Sequence, residues 1–265
     1  MNHQSESKSR LKLFLENPSK ALWSLAIPIM FGMGIQTLYN LVDMIFIGRL
    51  GGQAITGIAF NMPLFFLVLG LTMGLGTGVT AAIARFIGED NKKQADNCAE
   101  HAVFMAALIS IVLSSTGLLF GREILSLFGA EGEILNLGWE YLHVMCIGMP
   151  FMIFSGFFRS ILSGEGDMKF PMMVAGLGTV LNIILDPIFI FELDSFGGIG
   201  FGLGIAGAAM ATVISQLVVF FVFIVMLFFK DHSYISFNLN DFTFSTEILR
   251  DIIKVGLPAS LSMIV

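Results

Sequence analysis

Charge is scarce in this chain. Only 13% of its 265 residues are Asp, Glu, Lys or Arg, against about 25% in an ordinary soluble domain. That excludes a water-facing surface over most of the molecule. Cysteine is scarce too. Cys98 and Cys146 form no CxxC pair and have no His cluster beside them, so they read as reduced packing residues rather than a disulfide framework or a metal site. No basic patch interleaved with aromatics is present, which removes nucleic acid as a partner. No His-rich metal motif, Ser/Lys pair or Gly-x-Gly-Asp motif lies inside an apolar helix, so the chain does not read as an intramembrane enzyme and no cofactor is expected. The opening stretch, Met1 to Lys20, is too polar for a cleaved signal peptide.

What is present is hydrophobic: 55% apolar residues, mean hydropathy +0.84, 27 Phe, 29 Gly and 16 Met. A spanning helix needs about 20 mainly apolar residues. Six spans are expected, near residues 21–48, 53–84, 99–119, 137–160, 171–191 and 204–229, with a seventh starting near 248. The first two exceed what a bilayer requires, which predicts tilt, kinking or protrusion. The domain reading is a segment 1–20, a six-helix lobe 21–230, a linker 231–247, and the start of a further lobe at 248–265. The stretch Arg10 to Pro18 could lie on the membrane surface as a short amphipathic helix.

Basic residues sit almost entirely on one side of these spans. Lys8, Arg10, Lys12 and Lys20 precede the first, Arg85, Lys92 and Lys93 fall between the second and third, Arg159 and Lys169 between the fourth and fifth, and Lys230, Arg250 and Lys254 after the sixth. The other side has Arg49 and Arg122 with Glu123, Glu131, Glu133, Glu192 and Asp194. The positive-inside rule then places the N-terminus of this multi-pass chain in the cytoplasm.

Two carboxylates interrupt apolar helices: Asp43 in Leu41-Val42-Asp43-Met44-Ile45 and Asp186 in Ile184-Leu185-Asp186-Pro187-Ile188. A charge in hydrocarbon costs about 2.5–3.5 kcal/mol or more and marks a functional site by default. Each Asp lies about five residues before the outer end of an outward-running helix, so the two share a depth. Gln36, Tyr39, Asn40 and Asp43 fall at i, i+3, i+4 and i+7 on one face of the first helix, and Thr179, Asn182 and Asp186 at i, i+3 and i+7 on the fifth. The sixth offers Thr212 near the depth of Asn182, with Ser215 and Gln216 further in. Carboxylate, amide and hydroxyl oxygens suit a hard cation such as Na⁺, or a proton relay. Polar glue between helices is the alternative for the amides and hydroxyls, but glue needs no ionisable group.

Pro28, followed by Gly32 and Gly34, bends the first helix below the Asp43 face, either as a hinge or as a static kink. Gly70, Gly74 and Gly78 form a small-residue ridge, as do Gly204, Ala208 and Thr212 with Gly207 and Ala211, and both read as close helix packing. His101 and His143, near helix ends, read as interfacial or packing residues. Leu22 to Met30 and Ile252 to Ser260 read alike, with Pro28 and Pro258 230 residues apart, each opening an outward helix after a basic stretch. This is the mark of a parallel internal repeat, and Val265 is not expected to be a natural end.

Three segments together carry a family resemblance. Tyr39 to Gly51 resembles the first-helix signature of the multidrug and toxic compound extrusion (MATE) transporters. Ser163-Gly164-Glu165-Gly166-Asp167-Met168-Lys169-Phe170-Pro171 is similar to their fourth–fifth loop, and Leu181 to Pro187 with Gly204 to Thr212 resembles their fifth and sixth helices. The DinF-like prokaryotic branch, with an Asp on both helices, is the most similar, which implies a multi-pass protein of a prokaryote's plasma membrane. The resemblance implies an all-α polytopic membrane fold of twelve helices in two lobes, of which this chain carries one six-helix lobe and a truncated seventh helix. It implies export of organic, often cationic drugs or metabolites in exchange for H⁺ or Na⁺, by a protein monomeric when complete, with a small-molecule substrate and the lipid bilayer as partners. It places a cation or proton site at Asp43, Asn182, Asp186 and Thr212, a substrate chamber at Gln36, Tyr39, Asn40 and Thr179, and a hinge at Pro28. No metal beyond Na⁺ at the cation site is implied. A flippase for lipid-linked precursors is the nearest rival, and it would be expected to carry more Arg and Lys in its cavity. A channel or non-transporting scaffold is the rival from another class.

Overall fold

The computed structural model describes residues 18–192, 200–230, 233–237 and 242–264. Among these, the chain is helical almost throughout: α1 (Pro18–Gly48), α2 (Gly52–Ala59), α3 (Met62–Gly88), α4 (Lys92–Leu127), α5 (Gly132–Gly164), α6 (Lys169–Ile190), α7 (Gly204–Ile224) and α8 (Thr246–Ile264). Helices α3 to α6, and α7 with the turn that extends it, are long and apolar enough to cross a bilayer. About half of the side chains of α1 lie outside the described residues, as does the stretch 1–17, which holds nearly all of the Arg10 to Pro18 segment expected on the membrane surface.

Helix α5 is the hub, packing against α2, α3, α4 and α7, while α6 bridges α7 and α1, and α3 carries α8. The main core gathers Phe157, Phe158 and Ile161 of α5, Val79 and Ile83 of α3, Cys98 and Ala102 of α4, and Val219 and Phe223 of α7. Both cysteines are free and buried. The small-residue ridge on α3 faces α8: a Cβ at Gly74 would strike Ser260, and one at Gly78 would strike the Ile252 carbonyl.

One expected span differs. The apolar run 53–84 is two helices, α2 and α3, broken at Phe60 and Asn61. The backbone N–H of Asn61 turns to the carbonyl of Ile58 (2.9 Å) instead of Gly57. The Asn61 side chain takes over, donating through Nδ2 to Gly57 O (2.9 Å) and to Gly138 O on α5 (3.1 Å). Pro63 then sits in the first turn of α3, where its missing N–H costs nothing. The longest elements are α4 and α5, at 36 and 33 residues, rather than the first two expected spans. Arg159, at the end of the expected span 137–160 and counted there with the loop charges, lies well inside α5, because the helix continues to Gly164.

Helix α7 ends in one π-helical turn, Val225–Phe229. It leads to Phe228, whose ring stacks on Phe237 of the following segment with centroids 4.5 Å apart. That segment is clamped to the ends of α4 and α5. Glu165, at the end of α5, accepts from Ser233 Oγ and from the backbone N–H of Tyr234 (3.0 Å) and Ile235 (3.1 Å). Asp96 accepts from Ser236 N (3.0 Å), and Asn97 Nδ2 donates to Thr243 O (2.9 Å). The buried His101 accepts from Ser245 N at Nε2 (2.9 Å), which leaves Nδ1 to donate to Asn97 O (2.7 Å) and fixes the Nδ1–H tautomer. His101 is therefore a packing residue with a positioning task. Charge-assisted hydrogen bonds contribute about 1.5–3 kcal/mol each. Glu165→Ala is expected to speed proteolysis within 233–245 at least tenfold, with Glu165→Gln intermediate. Unchanged cleavage rates in both variants would show that the clamp does not hold this segment.

Candidate functional site

Helices α1 and α6 meet at one end of the bundle. The Phe46 ring packs edge-on to Phe191 (6.0 Å) and Arg49 lies over the same ring (6.0 Å). The segment before α7 lies along the end of α6, and the N–H groups of Phe201, Gly202 and Leu203 take the carbonyls of Ile188, Phe191 and Phe189 at 2.8–2.9 Å. Helix α7 then starts hard against the end of α6. Gly207 is required here, because a Cβ would run into the Phe189 carbonyl and lie 3.0 Å from Ile190 N. Ile47, Ile190, Ile205 and Ala209 form a buried apolar layer over this end.

Asp43 and Asp186 lie below that layer, five and four residues from the ends of their helices. Helices α1 and α6, which carry them, pack against each other. Asp186 is fully buried and Asn182, one turn before it, is 2% exposed. Asn182 Nδ2 donates to Thr212 Oγ1 of α7 (3.2 Å), and its amide lies beside the Asp186 carboxyl without completing a hydrogen bond to it. The equal-depth argument from sequence thus brings Asp43, Asp186, Asn182 and Thr212 into one neighbourhood. Thr179 follows on the same face of α6, half-buried. Gln36, Tyr39, Asn40 and Pro28 belong to α1, but their side chains lie outside the described residues.

The neighbourhood is rich in acceptors and poor in donors. Asp43 Oδ1, both carboxylate oxygens of Asp186 and Asn182 Oδ1 are enclosed without a hydrogen-bond partner, and so is the Ser215 hydroxyl one turn further along α7. Unsatisfied buried acceptors are costly, and buried carboxylates more so. Among the described residues no three His, Cys, Asp or Glu side chains converge. The donor set of carboxylate, amide and hydroxyl oxygens fits a hard monovalent cation or protons rather than a transition metal.

Two features escaped the sequence reading. One is the clamp of Glu165, Asp96, Asn97 and His101, whose only sequence signal was Glu165 inside the recognised loop motif. The other is a polar cleft around Arg159, in the α3–α5 groove.

The profile of the MatE family matches residues 28–188. The chain is 31% identical over 242 residues to the probable multidrug resistance protein YoeA of Bacillus subtilis (strain 168), covering 90% of this chain and 51% of that protein. It is 31% identical over 248 residues to the multidrug export protein MepA of Staphylococcus aureus (strain MRSA252), covering 92% and 52%. A crystal structure of MATE in complex with MaD3S superposes with a TM-score of 0.88 at 39% identity, over 95% of this chain and 55% of that one. The chain spans about half the length of the curated relatives it matches.

Proposed function

Because the chain belongs to the MatE family of multidrug and toxic compound extrusion transporters, we propose that it exports organic, often cationic, compounds in exchange for H⁺ or Na⁺, and that Asp43, Asp186, Asn182 and Thr212 form its coupling site. The chain is an all-helical, multi-pass membrane protein. In this reading it sits in the plasma membrane with the N-terminus cytoplasmic, residues 21–230 form one lobe of a monomeric transporter, and 231–247 link that lobe to the start of a second.

One observation carries the reading: enclosed, partnerless acceptor oxygens on α1 and α6, brought level under an apolar layer. With both carboxylates charged, helices α1 and α6 hold like charges together in a dry site. A bound cation or proton cancels that repulsion, so the arrangement with α1 against α6 is favoured when the ion is bound and disfavoured when it leaves. An ion with such a differential affinity shifts the balance between two conformations. Pro28 supplies a bend in α1 through which the Asp43 end can move without displacing the rest of the helix. Substrate held against the faces of Gln36, Tyr39, Asn40 and Thr179 responds to the same movement.

Counterflow in liposomes containing the intact protein, with H⁺ and Na⁺ gradients imposed separately, tests this. One of the gradients is expected to accelerate substrate movement against its own direction. Flux indifferent to both would remove ion coupling and favour a channel or scaffold.

A further inference from the structure

At the opposite end of the bundle, α3 and α5 bound an open cleft of about 380 Å³. Its walls carry Thr72, Thr77 and Thr80 from α3, and Arg159, Ser160 and Ser163 from α5, with two methionines and a glycine completing the lining. No Asp or Glu lines it. Arg159 has an exposed side chain and, among the described residues, no carboxylate within ion-pair distance. The cleft lies far from the Asp43 and Asp186 neighbourhood. Arg159 stands five residues before the end of α5, and α6 starts at Lys169 on that side. Asp186 lies about 25 Å further along α6, at about 1.5 Å per residue.

A guanidinium on a membrane-spanning helix is costly and retained for a purpose. Its five N–H donors form a planar fork that matches a carboxylate or phosphate. Around it the hydroxyls are held locally, Thr77 Oγ1 on Met73 O (2.9 Å), Thr80 Oγ1 on Ser160 O (2.9 Å) and Ser160 Oγ on Gly156 O (3.0 Å). Each rests on a backbone carbonyl, so rotating a hydroxyl toward an incoming oxyanion sacrifices no charged partner. Thr72 Oγ1 has no partner at all. The methionine side chains give soft apolar contact beside the polar groups. Charge, donors and an apolar wall in one cleft match an amphiphile with an anionic head.

We propose that the α3–α5 cleft binds the phosphate group of an amphiphile, with Arg159 as its principal contact and the threonine and serine hydroxyls as secondary donors. The head enters from the end of the bundle where α5 stops, and the chain lies along the methionines. The site is independent of the coupling site and does not rest on the transport reading. Its ligand class is the opposite in charge to the organic cations proposed as cargo. The same chemistry comes from a bilayer lipid headgroup or from a free anion, and a lysophospholipid and inorganic phosphate separate the two.

The intact protein in dodecyl maltoside is titrated with lysophosphatidic acid, with a monoacylglycerol of the same chain, and with inorganic phosphate. Saturable binding of lysophosphatidic acid at least tenfold tighter than the monoacylglycerol is expected, since a charge-assisted hydrogen bond contributes about that factor. Arg159→Gln is expected to lose that advantage, Arg159→Lys to keep part of it, and Thr80→Val to weaken it severalfold. Phosphate binding with the same dependence on Arg159 identifies a free anion as sufficient, and lysophosphatidic acid binding alone identifies the lipid headgroup. Equal binding of the lysophosphatidic acid and the monoacylglycerol by the unaltered protein overturns the proposal, and that comparison needs no variant to fold. Undiminished lysophosphatidic acid binding by a folded Arg159→Gln overturns it equally.

Discussion

Asp186→Asn is expected to reduce ion-driven export to the leak rate of empty liposomes while leaving the protein folded, and Asp43→Asn to do the same. Asparagine keeps the size of the side chain and its capacity to accept and donate, and removes only ionisation. Asp186 is fully buried, and neither of its carboxylate oxygens has a hydrogen-bond partner. An amide there is cheaper to bury than a lone carboxylate, so thermal stability should hold or rise. Transport should fall because the two conformations no longer differ in their affinity for the ion. A hundredfold loss corresponds to about 3 kcal/mol, the upper end of ordinary coupling free energies. The double variant provides a second check, read in melting temperature because flux is already at the leak rate. Either substitution relieves the same repulsion, so the double variant should gain less than the sum of the two single gains, whereas separate sites would give additive gains. Normal gradient-driven export by both single variants would dismantle the site.

Substituting alanine at Gly78 or Gly74 is expected to have the largest effect on folding. At both positions α3 and α8 approach so closely that a Cβ meets backbone: the Ile252 carbonyl for Gly78, and the Ser260 amide and Cα for Gly74. Backbone cannot swing aside as a side-chain tip can, so the helices must separate. That sacrifices the contacts on both sides of the ridge and strains the Arg85–Asp251 ion pair (2.7 Å) beside it. Overpacking of this kind costs about 1–3 kcal/mol or more. A lower yield of monodisperse protein and a depressed melting temperature are expected. Gly176→Ala on α6, where a Cβ meets nothing within 4 Å, is the matched control and should be neutral or mildly stabilising, as alanine favours helix by up to about 1 kcal/mol. Similar losses at Gly176 and Gly78 would mean that the ridge is not a packing seam.

The paired carboxylates were legible because the bilayer makes charge rare: Asp43 and Asp186 stand alone in apolar runs, and counting residues to the helix ends gave their common depth. Thr212 followed from the same count, and Asn182 from the helical repeat. The break at Asn61 was not legible, because the apolar run is continuous and the turn is secured by a hydrogen bond to Gly138, 77 positions away. The clamp was hidden for the same reason. Glu165 reaches Tyr234 and Ile235 across about 70 residues, and no local pattern announces such a contact. Arg159 was counted with the loop because it stands at the very end of the expected fourth span, 137–160, whereas the helix runs four residues further, to Gly164.

The π turn at Val225–Phe229 works as a built-in spacer. It holds one residue more than regular α winding allows, so everything beyond it is phased about 100° differently from the rest of α7. That phase sets Phe228 against Phe237. Deleting Val225 or Met226 would return the helix to regular winding and turn Phe228 away from Phe237, leaving the clamped segment to its hydrogen bonds with Glu165, Asp96, Asn97 and His101. A single-residue deletion would here remove an aromatic mooring of the segment that leads into α8.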